Sequence, residues 1–186
     1  MEIRPATVAD LNHIADIDGT IESAEYLHVD RTGEGLAPSW KLDPRPLRSK
    51  LIESNALDDD RRFTLKQIVT GIEDGTVLVA EHGGSAVAML LAQHRPERGT
   101  MKLVDLRVDY DIRRQGVATV MVYQIMQQAR AMELRAVFAE TRTSNHPANK
   151  FLQKLSFQIA GLDTHRHSNH DMVKESATIF WYAPLD

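Results

Sequence analysis

Arg113-Arg114-Gln115-Gly116-Val117-Ala118 is the stretch on which the reading of the fold turns. It joins an apolar run that ends near Val108 to a helical pattern that begins near Val117. A glycine at such a junction lets the backbone come close to a ligand. The helix start supplies unpaired N–H groups and a partial positive charge. Together these features make an anion site, suited to a phosphate or pyrophosphate, and Arg113 and Arg114 add charge to it. Two other phosphate-binding patterns are excluded: there is no Gly-Lys-Ser/Thr ending and no G-x-G-x-x-G anywhere in the chain.

Working outward, Met101–Val108 reads as the strand before the junction and Val117–Met132 as the helix after it. Arg135–Thr141 follows as a strand, so the unit demands a parallel crossover. Upstream, Thr76–Glu81 and Ser85–Gln93 flank Gly83-Gly84 as a hairpin. Downstream, Ala148, Phe151, Leu152 and Leu155 share one face of a helix over Pro147–Leu155. Phe157–Asp163 and Thr178–Ala183 close the chain as strands. At the start, Glu2–Arg4 is a short strand, and Thr7 with Asp10 suggests a capping box before Leu11, Ile14 and Ala15. Residues 19–62 give no clean pattern, because Gly19, Gly33, Gly35, Pro38, Pro44 and Pro46 interrupt it. Helical spacing returns over Leu47–Ser54 and Thr64–Ile72, the second ending at Glu73-Asp74-Gly75. The expected fold is a mixed α/β sheet with flanking helices, one domain over 1–186 with 19–62 irregular.

Length and composition agree with one globular domain: 186 residues, 42% hydrophobic and 26% charged. The net charge of −4 disfavours nucleic acid and anionic membranes as partners. No run is long and apolar enough to span a bilayer, and Met1–Pro5 lacks a leader's apolar stretch. With no cysteine, disulfides, Cys-ligated metals and a cysteine nucleophile are all excluded, and a cytoplasmic setting is expected. Charge is uneven. Residues 1–62 hold 13 acids and 8 bases, and Asp10 to Glu34 holds seven acids against Arg31 alone. This is either a solvated acidic face or a collar for a cationic substrate.

The junction fits the Q/R-x-x-G-x-G/A pattern of the GNAT acetyltransferases through Arg113, Gly116 and Ala118. Asn145, Ala148 and Phe151 resemble that family's N-x-x-A-x-x-F stretch, and Phe157 its closing aromatic. Ile3-Arg4-Pro5-Ala6 and Asp10-Leu11 resemble typical openings. Glu140-Thr141, Lys150-Phe151, Gly161, Asp163-Thr164 and Phe180-Trp181-Tyr182 bring the last third nearest to streptothricin acetyltransferases. The resemblance implies the acyl-CoA N-acyltransferase fold, with a splayed parallel strand pair. It also implies acetyl transfer from acetyl-CoA to an amine of a small cationic acceptor, with a streptothricin-type antibiotic the specific expectation. The cofactor would rest on Leu106, Arg107 and Val108, on Arg113, Arg114, Gln115, Gly116, Val117, Ala118 and Thr119, and on Asn145, Ala148, Phe151 and Leu152. The Val108 amide would face the thioester oxygen. Asn145 would hold the pantetheine arm and cap the next helix; the competing reading is capping alone.

An acceptor ammonium must lose a proton before attack. Glu140 is the first candidate base, at the end of the strand five residues before Asn145, and Asp105 is the second. Asp105 and Arg107 share a strand face, so a salt bridge is the competing reading. For Glu140 the competing reading is an exposed strand-end acid. Leu152 stands where the family usually places a tyrosine, and Ser156 where it places a glycine. Tyr123, Tyr110 or a water remains for the leaving thiolate. With no cysteine, direct attack in a ternary complex is the simpler route than an acyl-enzyme. His165, His167 and His170 form a solvated loop, an acceptor contact or a metal cluster; no metal site is assigned. Trp40 and Trp181 suit core or hairpin packing better than ligand stacking. Other readings are a protein N-terminal or lysine acetyltransferase and a non-catalytic acetyl-CoA sensor. A homodimer is compatible with all of them.

Overall fold

The structure, a computed structural model, describes residues 1–185. A seven-stranded sheet has the order β1-β4-β5-β6-β7-β9-β8, and a separate two-stranded sheet is made by β2 and β3. The strands are β1 (Glu2–Pro5), β2 (Ile21–Thr32), β3 (Ser39–Glu53), β4 (Gly75–His82), β5 (Ser85–Arg95), β6 (Thr100–Val108), β7 (Ala136–Arg142), β8 (Gln158–Asp163) and β9 (Thr178–Pro184). The helices are α1 (Asp10–Ala15), α2 (Asp59–Val69), α3 (Val117–Ala131) and α4 (His146–Lys154). The expected mixed sheet is present, with β6 and β7 parallel across α3 and with β1–β4, β4–β5, β5–β6 and β8–β9 antiparallel.

The chain divides into two compact units. The first takes residues 1–20, 54–139 and the chain from Ala183. Its centre is β5, a continuous apolar strand buried on both faces, as an interior strand requires. Met89 and Leu91 pack with Ile14 of α1 and Leu65 and Ile68 of α2. Leu90 lies on the other strand face, and α3 contributes the buried Met121, Val122, Ile125 and Met126.

The second unit takes 21–53 and 140–182. Here the structure corrects the sequence reading: 19–62 is not irregular. β2 and β3 form a long antiparallel hairpin from Ile21↔Glu53 to Thr32↔Ser39. Leu47–Ser54, expected as helix, lies within β3 up to Glu53. Leu47 and Leu51 are four apart, a spacing that puts two residues on one face of either a helix or a strand. Pro44 and Pro46 are tolerated because a two-stranded sheet consists of edges, where a missing N–H costs no inner ladder bond.

Two helix ends also move. α2 begins earlier than expected, where the Asp58 carboxylate accepts the Arg61 N–H at 2.7 Å. It stops at Gly71 rather than Gly75. Gly71 has φ 76°, and the Ile72 N–H bonds back to the Gln67 carbonyl, which closes a Schellman turn. Gly75 opens β4 instead. At α1, Asp10 reaches back to the Thr7 N–H at 2.7 Å, the acidic arm of a capping box. The Thr7 hydroxyl donates to Asp10 as well, so it caps no backbone group. Arg4 donates twice to the same carboxylate and holds it well below the usual carboxylate range.

Candidate active site

The first unit carries an open strand edge and an uncapped helix start. β6 and β7 pair only from Thr100↔Ala136 to Leu103↔Ala139. At that point β6 is bulged: Leu91 faces Asp105 and Ala92 faces Leu103, so Val104 has no counterpart on β5. A bulge bends its strand and increases the twist, which drives neighbours apart. Among the described residues, Asp105–Val108 keep the β5 ladder, and Val104–Val108 have no β7 pairing. This edge can accept an extended chain as an added strand.

The junction after β6 is braced from inside. Arg113 donates from Nε to the Val108 carbonyl at 3.0 Å and from Nη2 to the Asp18 carbonyl at 3.1 Å. Its guanidinium lies 5.0 Å from the Tyr110 ring. Arg113, expected on the anion, is thus bound to the protein, whereas Arg114 and Gln115 are exposed. Arg114 has φ 64° and Gly116 φ 84°, both left-handed. A Cβ on Gly116 would meet nothing within 4 Å, so glycine is required by backbone conformation and not by crowding within the chain. Gly116 is the N-cap of α3, no side chain caps this end, and no acid lies in the first turn. The N–H groups of Val117, Ala118 and Thr119 are therefore without helical partners.

Of the two candidate bases, Asp105 is saturated. Arg107 grips both its oxygens at 2.7 and 3.1 Å, and Arg61 stands 3.4 Å away. Arg107 is itself buried and also donates to the Asn55 carbonyl at 2.8 Å. The side-by-side placement of Asp105 and Arg107 expected from strand alternation is realised as an ion pair. Leu106 and Val108 are half-buried.

The second unit holds the other named residues. Glu140 follows Ala139, the last β7 residue paired with β6. Its carboxylate accepts from Arg166 at 3.1 Å. Asn145 caps α4, accepting the Ala148 N–H at 3.3 Å. Asn149, which the sequence reading passed over, is 2% exposed and takes the Trp181 indole N–H together with Thr141. Its signal was weak: α4 buries His146, Asn149 and Leu152, a line that runs beside the apolar stripe of Ala148, Phe151, Leu152 and Leu155. Trp181 is thereby fixed as a core residue, whereas Trp40 lies on the hairpin beneath Arg31. Phe151 is half-buried and Leu152 is buried. Ser156 has φ 64°, and the Phe157 N–H reaches the Leu152 carbonyl at 3.0 Å. This Schellman turn explains why a glycine is expected at 156.

His165, His167 and His170 lie in a loop organised by Asp171, which accepts the His167 N–H and the Ser168 hydroxyl. These bonds hold the Asp171 carboxyl below its ordinary range. Among the described residues no group of three or more His, Cys, Asp or Glu side chains is placed to hold a metal. No helix there is long and apolar enough to cross a membrane. The acidic collar dissolves in part: Asp10 is paired with Arg4 and Glu22 with Lys50.

The model of the acetyltransferase (GNAT) family matches residues 40–157. The chain belongs to the GNAT acetyltransferase family. It is 32% identical over 84 residues to streptothricin acetyltransferase A of Bacillus subtilis (strain 168), a match over 45% of this chain and 48% of that protein. The match thus spans about half the length of that curated relative. Among solved structures, nourseothricin acetyltransferase superposes with a TM-score of 0.77 at 19% identity, covering 100% of this chain and 98% of the other. A streptothricin acetyltransferase from Bacillus anthracis str. Ames, solved with acetyl coenzyme A, also reaches 0.77, at 20% identity over 98% of each chain. At these identities the structural likeness establishes the shared fold.

Proposed function

We propose that this GNAT protein transfers acetyl from acetyl-CoA to a primary amine of a small molecule, by direct attack in a ternary complex. The observation that carries the reading is the uncapped start of α3 behind two left-handed residues, beside a β6 edge released by its bulge. Acetyl-CoA supplies the acyl group as a thioester. The N–H groups at 114–119 bind its pyrophosphate, and exposed Arg114 adds charge from the side. Arg113 acts through the loop, tying it to Val108 and Asp18. The released edge of β6 takes the pantetheine arm, with the Val108 amide toward the oxygen on which charge develops. Asn145 fixes the start of α4, with Ala148 and Phe151 beside it.

Glu140 is the proposed base, taking the acceptor's proton directly or through a water, with Arg166 orienting it. Asp105 is a positioning residue, since its oxygens are committed to Arg107. Leu152 is buried and offers no proton to the departing sulfur. None is required: a thiol pKa near ~8.5 makes free thiolate about 2 kcal/mol uphill of thiol at pH 7. The named relatives favour a streptothricin-type antibiotic as the first acceptor to try.

The test is an amine panel with acetyl-CoA, including streptothricin, read by mass spectrometry. An acetylated product on at least one amine, with matching thiol release, is the expected result. Tight acetyl-CoA binding without product on any amine would instead make the protein a sensor.

A further inference from the structure

The second unit contains a concavity of about 530 Å³, within the range that takes a small-molecule ligand. One wall comes from a break in the hairpin. Between Glu25↔Pro46 and Ser23↔Leu51, the single residue Ala24 stands against Leu47, Arg48, Ser49 and Lys50. Such an irregularity removes residues from the ladder and re-aims their side chains. Leu47, Arg48 and Ser49 are among those that line the concavity.

The rest of the lining is basic. Arg142 and Ser144 come from the end of β7 and the turn after it, and Lys174, Glu175 and Ser176 from the segment before β9. The only acid in the lining, Glu175, is buried, has φ 58°, and is bound by Arg48 at 2.7 Å. Arg142 meets Glu53 at 2.7 Å through Nη2 alone among the described residues. The Lys174 side chain is exposed, with no acid partner among the described residues. With Arg48 paired to Glu175 and Arg142 to Glu53, Lys174 leaves a net positive charge at the concavity, which disfavours an ammonium and attracts an oxyanion. Guanidinium, ammonium and serine hydroxyls together form a donor set for carboxylate or phosphate.

Glu140 and Arg142 are two apart on β7, hence on one strand face and about 6–7 Å from each other. An anion held at Arg142 places an amine a few bonds away within reach of Glu140. Resting on the N-acetyltransferase reading, we propose that this concavity holds an anionic group of the acceptor. The amine to be acetylated then belongs to a molecule that also carries a carboxylate or a phosphate.

The test compares matched amines with the full chain and acetyl-CoA: lysine against cadaverine, and phosphoethanolamine against ethanolamine. The anionic member of at least one pair is used about tenfold better in kcat/KM, and which pair shows it separates carboxylate from phosphate. Lys174→Gln raises KM for that acceptor about tenfold, leaves kcat and the KM for acetyl-CoA in place, and Lys174→Arg restores it. Equal use within both pairs overturns the proposal. So does a Lys174→Gln effect on acetyl-CoA, or preferred use of polycationic streptothricin independent of Lys174. If no amine is acetylated, the N-acetyltransferase reading fails, and calorimetry with the same four amines decides the subsite. Binding of an anionic amine only, lost in Lys174→Gln, upholds an anion site; binding of none, or of both members alike, removes it.

Discussion

Two segments of comparable length place their polar groups in opposite ways. In Asp109–Gly116 the side chain best suited to an anion, Arg113, turns inward, and the groups left open are backbone N–H. In Glu140–Asn149 most polar side chains are engaged with others: Glu140 with Arg166, Arg142 with Glu53, Asn145 with the α4 backbone, Asn149 with Trp181. On the proposed function, the first segment would recognise through conformation, set by left-handed Arg114 and Gly116. The second would recognise through side-chain charge, which partners far along the chain can retune.

Substitutions separate the roles of the two segments. The largest effect is expected from Glu140→Gln: about a hundredfold loss in kcat with an unchanged KM for acetyl-CoA. Steady-state kinetics that showed only a higher acceptor KM would move Glu140 from proton transfer to binding. Gly116→Val should raise the KM for acetyl-CoA about tenfold, because a β-branched residue resists φ 84°. Asp105→Asn leaves Arg107 buried without its counter-charge and should cost about 3 kcal/mol in denaturant unfolding. A hundredfold fall in kcat of still-folded Asp105→Asn protein would instead make Asp105 the base. The smallest effect concerns His146, whose pKa is lowered by burial and by Lys150 against the opposing pull of Glu25. The fold favours the neutral ring, so its contribution is complete above about pH 6.5 and declines as pH falls below that value. His146→Leu should flatten that part of a stability-against-pH curve.

What was legible in the sequence follows the same division. The β6–α3–β7 unit was readable because its signals are local: an apolar run, a glycine at a strand-to-helix turn, a helical period. Asn145 and Ala148 were readable because an N-cap is encoded within four residues. The β2–β3 hairpin was not, since prolines acceptable on an edge strand look like breakers, and Leu47 and Leu51 satisfy two periods at once. The basic concavity was equally hidden. Arg48 and Glu175 lie 127 residues apart, and no local pattern announces such a pair. Within the acidic stretch at 10–34, Asp10 and Glu22 take their counter-charges from Arg4 and Lys50, which lie outside it.

On the proposed function, the backbone of 114–119 and the free edge of β6 would hold the cofactor. Amide NMR during a coenzyme A titration tests it most directly. The largest shifts are expected at Gly116–Thr119 and Val104–Val108, persisting in Arg113→Lys protein that remains folded. Saturable binding that leaves those amides unmoved would contradict it.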